Sequence, residues 1–223
     1  MHKVSVIIPA FLPTEEYINY LKYAVDSVKT QSYSNIDITI VFNGPINVDI
    51  ENTKCIKIPF KTSASIARNI GASFNLNSDY FCFLDADDMF HEHKIKEQLN
   101  VCVEENIDFC FTERYDIDSS GNILEKFNYI NSAHSNDEIK NIISIENVLP
   151  TSSCMIKVEP FFKCGMFAAT NEYKIKGPKL HMNTNEAIYE DYLLWINAIN
   201  KDYKFKKLIN PLTYYRINTS VAR

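Results

Sequence analysis

The chain has 223 residues, 46% of them hydrophobic and 23% charged, the balance of a globular protein with one full core. Its net charge of −5 argues against a nucleic-acid binder, which needs a basic face. No apolar run approaches the roughly 18 residues of a membrane span. Met1-His2-Lys3 leads straight into a strand, so no signal peptide is expected and any membrane contact should be peripheral.

The first half alternates strands and helices, the pattern of a mostly parallel α/β sheet. Residues 4–8 read as a strand stopped by Pro9. Thr14-Glu15-Glu16 can cap a helix with Tyr17, Leu21, Ala24, Val25 and Val28 on one face. Residues 36–42 form a second strand ending at Asn43-Gly44-Pro45, and 55–58 a short third one. Ser63 or Ser65 opens a helix running to Phe74, and Gly71 lets that helix lie close to a sheet. Residues 80–84 are a fourth strand, 91–105 a helix and 108–116 another strand.

Farther along, Asp118-Ser119-Ser120-Gly121-Asn122 is a turn signal that makes 109–117 and 123–127 a hairpin. Residues 137–143 read as a short helix, 155–158 as a strand and 159–164 as a helical piece. The polar stretch 169–185, broken by Gly177-Pro178, reads as a long loop. Residues 187–200 form an amphipathic helix with Ile188, Tyr192, Trp195, Ile196 and Ile199 on one side. Residues 203–208 and 213–217 finish as two extended segments. One domain over 1–223 is expected, regular through 117 and less so beyond. The six cysteines are scattered with no C-x-x-C pair, as expected of reduced thiols in a cytosolic protein.

Chemistry concentrates after the fourth strand, where an aromatic-rich apolar run ends in Asp85-Ala86-Asp87-Asp88. In an open α/β sheet, ligands bind at the carboxyl ends of strands. Asp85 and Asp87 lie two apart, so in an extended segment both can point the same way. Crowded carboxylates repel unless a cation sits between them, and a hard ion such as Mg²⁺ or Mn²⁺ would also hold phosphates. Arg68 can grip a phosphate or brace an aspartate. Pro9-Ala10-Phe11 and Asn43 end the first two strands on the edge shared with Asp85. Glu190 and Asp191 open the late helix, where they complement its dipole or supply a general base. Tyr214-Tyr215-Arg216 could cover a diphosphate or pack as a terminal strand.

Six segments in order resemble the family 2 glycosyltransferases of the GT-A fold. They are VSVIIPAF at 4–11, AVDSVKTQSYSNIDITIV at 24–41, SASIARNIGA at 63–72, FLDADD at 83–88, IYEDYLLWINAI at 188–199 and TYYRIN at 213–218. The resemblance implies a Rossmann-like, mostly parallel sheet flanked by helices, with a less regular C-terminal half. It implies metal-dependent, inverting transfer of a sugar from a nucleotide-diphosphate donor, of which a UDP-sugar is the first candidate. The acceptor would be a glycan or lipid-linked hydroxyl in bacterial surface polysaccharide synthesis, at the cytoplasmic side of the inner membrane.

Carried over, residues 1–117 would be the nucleotide-sugar half and 118–223 the acceptor side. Asp87 would bind Mn²⁺ or Mg²⁺ directly. Asp85 would contact the ribose or the metal shell, beside Ala86. Asp191 would be the base, and Arg68 and Arg216 would support the donor. Pro9, Ala10 and Phe11 would line the nucleobase site. Two positions depart from the family pattern: Asn43 stands where an aspartate often reads the base, and Asn218 where a histidine can ligate the metal. The alternative is a non-catalytic sugar-nucleotide-binding module of the same fold. A haloacid-dehalogenase-type phosphatase fits less well, because three strands precede the acidic motif and Asp88 follows Asp87. A nucleotidyltransferase would want a glycine-rich loop, which residues 9–16 lack.

Overall fold

The structure is a computed structural model that describes residues 1–127, 135–168 and 190–217. Its strands are β1 (Val4–Ala10), β2 (Ile36–Phe42), β3 (Lys54–Lys57), β4 (Tyr80–Phe83), β5 (Met89–Phe90), β6 (Phe109–Ile117), β7 (Ile123–Phe127), β8 (Met155–Lys157) and β9 (Phe205–Arg216). The helices are α1 (Glu15–Lys29), α2 (Ala64–Ser73), α3 (Lys94–Glu104), α4 (Asn136–Ile145), α5 (Val158–Lys163) and α6 (Glu190–Asn200), and a 3-10 turn covers Thr151–Ser153. The strands form one sheet in the order β3-β2-β1-β4-β8-β6-β9-β5, with β7 beside β6. β1 is parallel to β2 and β4, β2 to β3, and β6 to β9; β5, β7 and β8 run antiparallel to their neighbours. This is the mostly parallel, helix-flanked sheet expected, with an irregular part from α4 to β9.

Helices cover both faces, so the central strands carry apolar side chains on both. Alternation sorts them. Tyr80, Cys82 and Leu84 join Val6 and Ile8 of β1 under Leu21 and Val25 of α1 and Leu99 of α3. Phe81 and Phe83 face the other way, with Ile7, Phe161 of α5 and Trp195 of α6. Trp195 is fully buried, its ring edge-on to Phe111 at 5.1 Å between centroids. Truncating such a residue to alanine costs about 3–5 kcal/mol. Gly71 is where α2 meets the sheet. A Cβ there would lie 2.5 Å from Ile7 Cγ2 and 3.1 Å from Val41 Cγ2, so only glycine lets the helix come this close.

Register brings the strand ends together. Ala10 pairs with Phe42 and Ile7 with Phe83, so Phe11, Asn43 and the Asp85 loop emerge at one edge of the sheet. Ser63 N-caps α2 beside this edge, accepting from the Ile66 N–H at 3.3 Å.

Several details differ from the sequence-based expectation. The two late extended segments are one twelve-residue strand, β9, whose pairing with β6 slips near Pro211. Proline costs a ladder hydrogen bond, and the irregularity absorbs the loss without ending the strand. A two-residue strand, β5, follows the acidic loop and pairs antiparallel with Thr213 and Tyr214. Consequently α3 starts at Lys94 rather than 91. Thr14 stands at the N-cap of α1 but makes no side-chain capping bond. The expected loop 169–185 and the first residues of the helix expected over 187–200 lie outside the described residues. All six cysteines are free, and burial raises the thiols of Cys82 and Cys164 to a pKa of about 11. Among the described residues, no helix is long and apolar enough to cross a membrane.

Candidate active site

The acidic stretch is a turn, not an extended segment. The Asp88 N–H returns to Asp85 O at 3.0 Å, so the two-residue spacing of Asp85 and Asp87 does not by itself align their side chains. The third carboxylate holds the turn in shape. Asp88 is fully buried and accepts from Ser152 Oγ at 2.6 Å and from the Arg216 N–H at 2.9 Å. Ser152 Oγ also accepts from the Asp85 N–H at 3.1 Å. The Arg216 guanidinium, on the far side, donates to the carbonyls of Asp87 (2.8 Å), Asp118 (2.5 Å) and Ser119 (2.9 Å), and lies over the Tyr20 ring. Asp85, Ala86 and Asp87 are left half-buried at the sheet edge.

Arg68 is buried in α2, and it joins this turn to α6. Its Nη2 ion-pairs with Asp85, and its Nη1 donates to Glu190 Oε1 at 2.9 Å. Asp85, Glu190 and Asp191 together hold the guanidinium charged, their attraction outweighing its burial. The next residue, Asn69, clasps the Phe167 peptide: its Nδ2 donates to the carbonyl at 2.8 Å and its Oδ1 accepts the N–H at 3.1 Å. Asp191 sits in the first turn of α6. Asn147 Nδ2 donates to its Oδ1 at 2.9 Å and Thr151 Oγ1 to its Oδ2 at 3.0 Å. Burial pushes its carboxyl above the usual carboxylate range, opposed by Thr151, Arg68 and Asn147.

At the ends of β1 and β2, Pro9 and Ala10 are buried and can offer a ligand only their backbone. Phe11 is half-buried, with Lys61 Nζ 4.5 Å over its ring. A Cβ on Gly44 would approach Phe11 Cδ2 to 2.8 Å, so the glycine makes room for that ring. Asn43 is buried, and its Nδ2 donates to Thr62 O at 2.8 Å. That bond fixes the amide orientation, because a carbonyl only accepts. Asn43 Oδ1 is then a buried acceptor without a partner among the described residues.

Asp85, Glu190 and Asp191 gather about the Arg68 guanidinium, and Asp87 lies in the adjoining turn. Asp85 and Asp87 supply hard oxygen donors of the kind Mg²⁺ and Mn²⁺ take. No cage of three or more His, Cys, Asp or Glu is arranged for a metal among the described residues. A metal here would draw its remaining ligands from substrate oxygens, water or side chains outside the described residues, and two carboxylates fit that role. Asn218 lies outside the described residues.

The family model "Glycosyl transferase family 2" matches residues 5–161. The chain belongs to this family. Among family 2 relatives, it is 27% identical over 230 residues to the amylovoran biosynthesis glycosyltransferase AmsB of Erwinia amylovora, covering 96% of this chain and 70% of that protein. It is 35% identical over 141 residues to an uncharacterized glycosyltransferase of Rickettsia felis, 60% of this chain but 22% of that one. The crystal structure of S. aureus TarS 1–349 in complex with UDP-GlcNAc superposes with a TM-score of 0.69 at 13% identity, over 98% of this chain and 60% of that one. This last likeness shows the GT-A fold.

Sequence reasoning singled out Asp85, Arg68 and Asp191 without the contacts that join them, and it missed Asn147, Thr151 and Ser152. These three lie in an irregular stretch between α4 and β8, where no periodicity marks a functional side chain. The only local signal was the polar run Thr151-Ser152-Ser153 next to Pro150.

Proposed function

We propose that this family 2 chain transfers a sugar from a nucleotide-diphosphate donor, with inversion, to a hydroxyl of a glycan or lipid-linked acceptor. The observation that carries this reading is Arg68, which draws Asp85 of the acidic turn and the Glu190-Asp191 pair to one sheet edge. The names of two similar proteins point the same way. AmsB is named for amylovoran biosynthesis, and TarS was solved with UDP-GlcNAc. The donor would sit over residues 1–117 and the acceptor against 118–223, at the cytoplasmic face of the inner membrane.

Asp87 and Asp85 would hold Mn²⁺ or Mg²⁺, with Asn218 as a further ligand. The ion would supply positive charge to the leaving diphosphate. Arg68 keeps Asp85 in place. Arg216 serves the donor through the turn it braces, its guanidinium being engaged by backbone carbonyls. Asp191 takes the acceptor proton as the hydroxyl oxygen attacks the anomeric carbon from the face opposite the diphosphate. The C–O bond to the diphosphate breaks as the new one forms, inverting the centre. Burial raises the basicity of Asp191, which suits that task.

The lone acceptor of Asn43 suits a base with a ring N–H at N3. Uracil carries one there, whereas N3 of cytosine is itself an acceptor, which favours a UDP-sugar over a CDP-sugar. The test is a panel of UDP-, GDP- and CDP-sugars scored for Mn²⁺-dependent nucleotide release. A UDP-sugar should turn over, and Asp191→Asn should lower kcat by about 10²–10⁴ with donor Kd unchanged. Tight donor binding without turnover on any acceptor would favour the non-catalytic module instead.

A further inference from the structure

One short segment touches both halves of the site. Asn147 and Thr151 donate to the two oxygens of Asp191, and Ser152, the next residue, bonds Asp88 and the Asp85 N–H. Thr151 is buried, and each carboxylate oxygen of Asp191 has one neutral donor on it. The acceptor end of the Asn147 amide, Oδ1, is buried without a partner among the described residues, so only the Nδ2 end of that group is engaged at this point. Two donors on the two oxygens fix the carboxylate plane, which a single bond would leave free to rotate.

We infer that Thr151 and Asn147 are positioning residues for the base, acting through Asp191: their donors on its two oxygens set its rotamer. This rests on the reading of Asp191 as the base. Two neutral donors stabilise the charged form without tying it in a salt bridge, so the carboxylate stays able to take a proton. The charged and titratable groups that face it are Arg68 from α2, Glu190 from α6 itself, and the Cys154 thiol just past the 3-10 turn. Arg68 is shared with Asp85 and Glu190, so the donors from Asn147 and Thr151 are the ones dedicated to Asp191.

The experiment needs no donor. The full-length protein is labelled with ¹³C at aspartate carboxyls, and the Asp191 resonance is assigned by its loss in Asp191→Asn. Removing a hydrogen bond to the charged form raises a pKa, and Thr151→Val removes the hydroxyl at nearly constant shape. The Asp191 midpoint should rise by about one pH unit in Thr151→Val, rise similarly in Asn147→Leu, and return to the parent value in Thr151→Ser. A role confined to packing would lower the unfolding midpoint and leave the titration in place. Unchanged Asp191 titration in both Thr151→Val and Asn147→Leu would overturn the inference, as would failure of Thr151→Ser to restore it. If Thr151→Val does not fold, the comparison of Asn147→Leu with the parent decides alone. The base reading fails by a different result, full turnover in Asp191→Asn, so the two can be told apart.

Discussion

Arg68 donates from Nη1 to Glu190 Oε1 at 2.9 Å, across 122 residues of sequence, while its Nη2 holds Asp85. One buried side chain thus links the turn after β4 to the first turn of α6. In Arg68→Ala, Asp85 and Glu190 each lose an ion-pair partner. Their side chains are 26% and 34% exposed, so water recovers part of the loss. The expected destabilisation is on the order of 2 kcal/mol, below the roughly 3–5 of a fully buried pair. Arg68→Lys should recover only part of it, because one ammonium nitrogen cannot span the two carboxylates that Nη1 and Nη2 reach separately. Urea denaturation measures both variants; parent-like stability in Arg68→Ala would show that these ion pairs do not support the fold.

Asp87 and Asp88 are neighbours with opposite expected behaviour. Asp87→Ala should abolish Mn²⁺-dependent UDP binding and keep the parent's unfolding midpoint, since its carboxylate lies half-buried at the edge. Asp88→Ala should destabilise by about 2–3 kcal/mol, because it strands the buried Ser152 hydroxyl and Arg216 N–H. Calorimetric UDP titration and thermal unfolding of both variants separate ligand from scaffold. The assignment of Asp87 is wrong if its alanine variant binds Mn²⁺–UDP as the parent does.

Asn43 should set base preference through its Oδ1. Asn43→Leu is expected to weaken UDP about tenfold, the size of one lost buried hydrogen bond, and to leave CDP unaffected. Asn43→Asp keeps an acceptor but loses the donor to Thr62 O, so UDP should weaken less than in Asn43→Leu. Equal losses for UDP and CDP in Asn43→Leu would mean the residue shapes the turn without reading the base.

Lys94 is fully buried, bonded to Gln98 Oε1 at 2.6 Å and lying 4.2 Å over the Phe90 ring. Burial lowers its pKa below the usual 10.5 of a lysine. Between that lowered value and 10.5, the unfolded chain binds a proton that the folded one does not, so this residue makes stability rise with pH and fall as pH drops. Lys94→Met should remove that contribution. The difference between variant and parent should have a slope of up to about 1.4 kcal/mol per pH unit within the window. Urea denaturation from neutral pH to pH 10 reads it, and parallel curves would refute a lowered Lys94 pKa.

Gly71→Ala sets helix propensity against packing. Alanine gains up to about 1 kcal/mol in a helix. Its Cβ, however, would meet the stiff, β-branched Ile7 at 2.5 Å, and overpacking of this kind costs about 1–3 kcal/mol. Net destabilisation is expected. Stabilisation in denaturant would mean that α2 can lift off the sheet freely.

The sequence alone determined the central strands, the acidic motif that follows one of them, and the helix that carries Trp195. Those signals are local: an apolar run, an alternation or a breaker is written in neighbouring residues. It also marked Arg68 and Asp191 as chemically capable. Only the tertiary structure decided what they touch, because those partners lie 17 to 122 residues away and are chosen by strand order and register. The burial of Lys94 was illegible for a related reason. In a polar-looking helix turn, Lys94 and Gln98 face inward because β6 and Ser153 wait there with carbonyls for the amide, and nothing within α3 announces that. The two extended segments expected over 203–208 and 213–217 are joined instead: β9 runs through Pro211, where a slipped register against β6 absorbs the missing N–H.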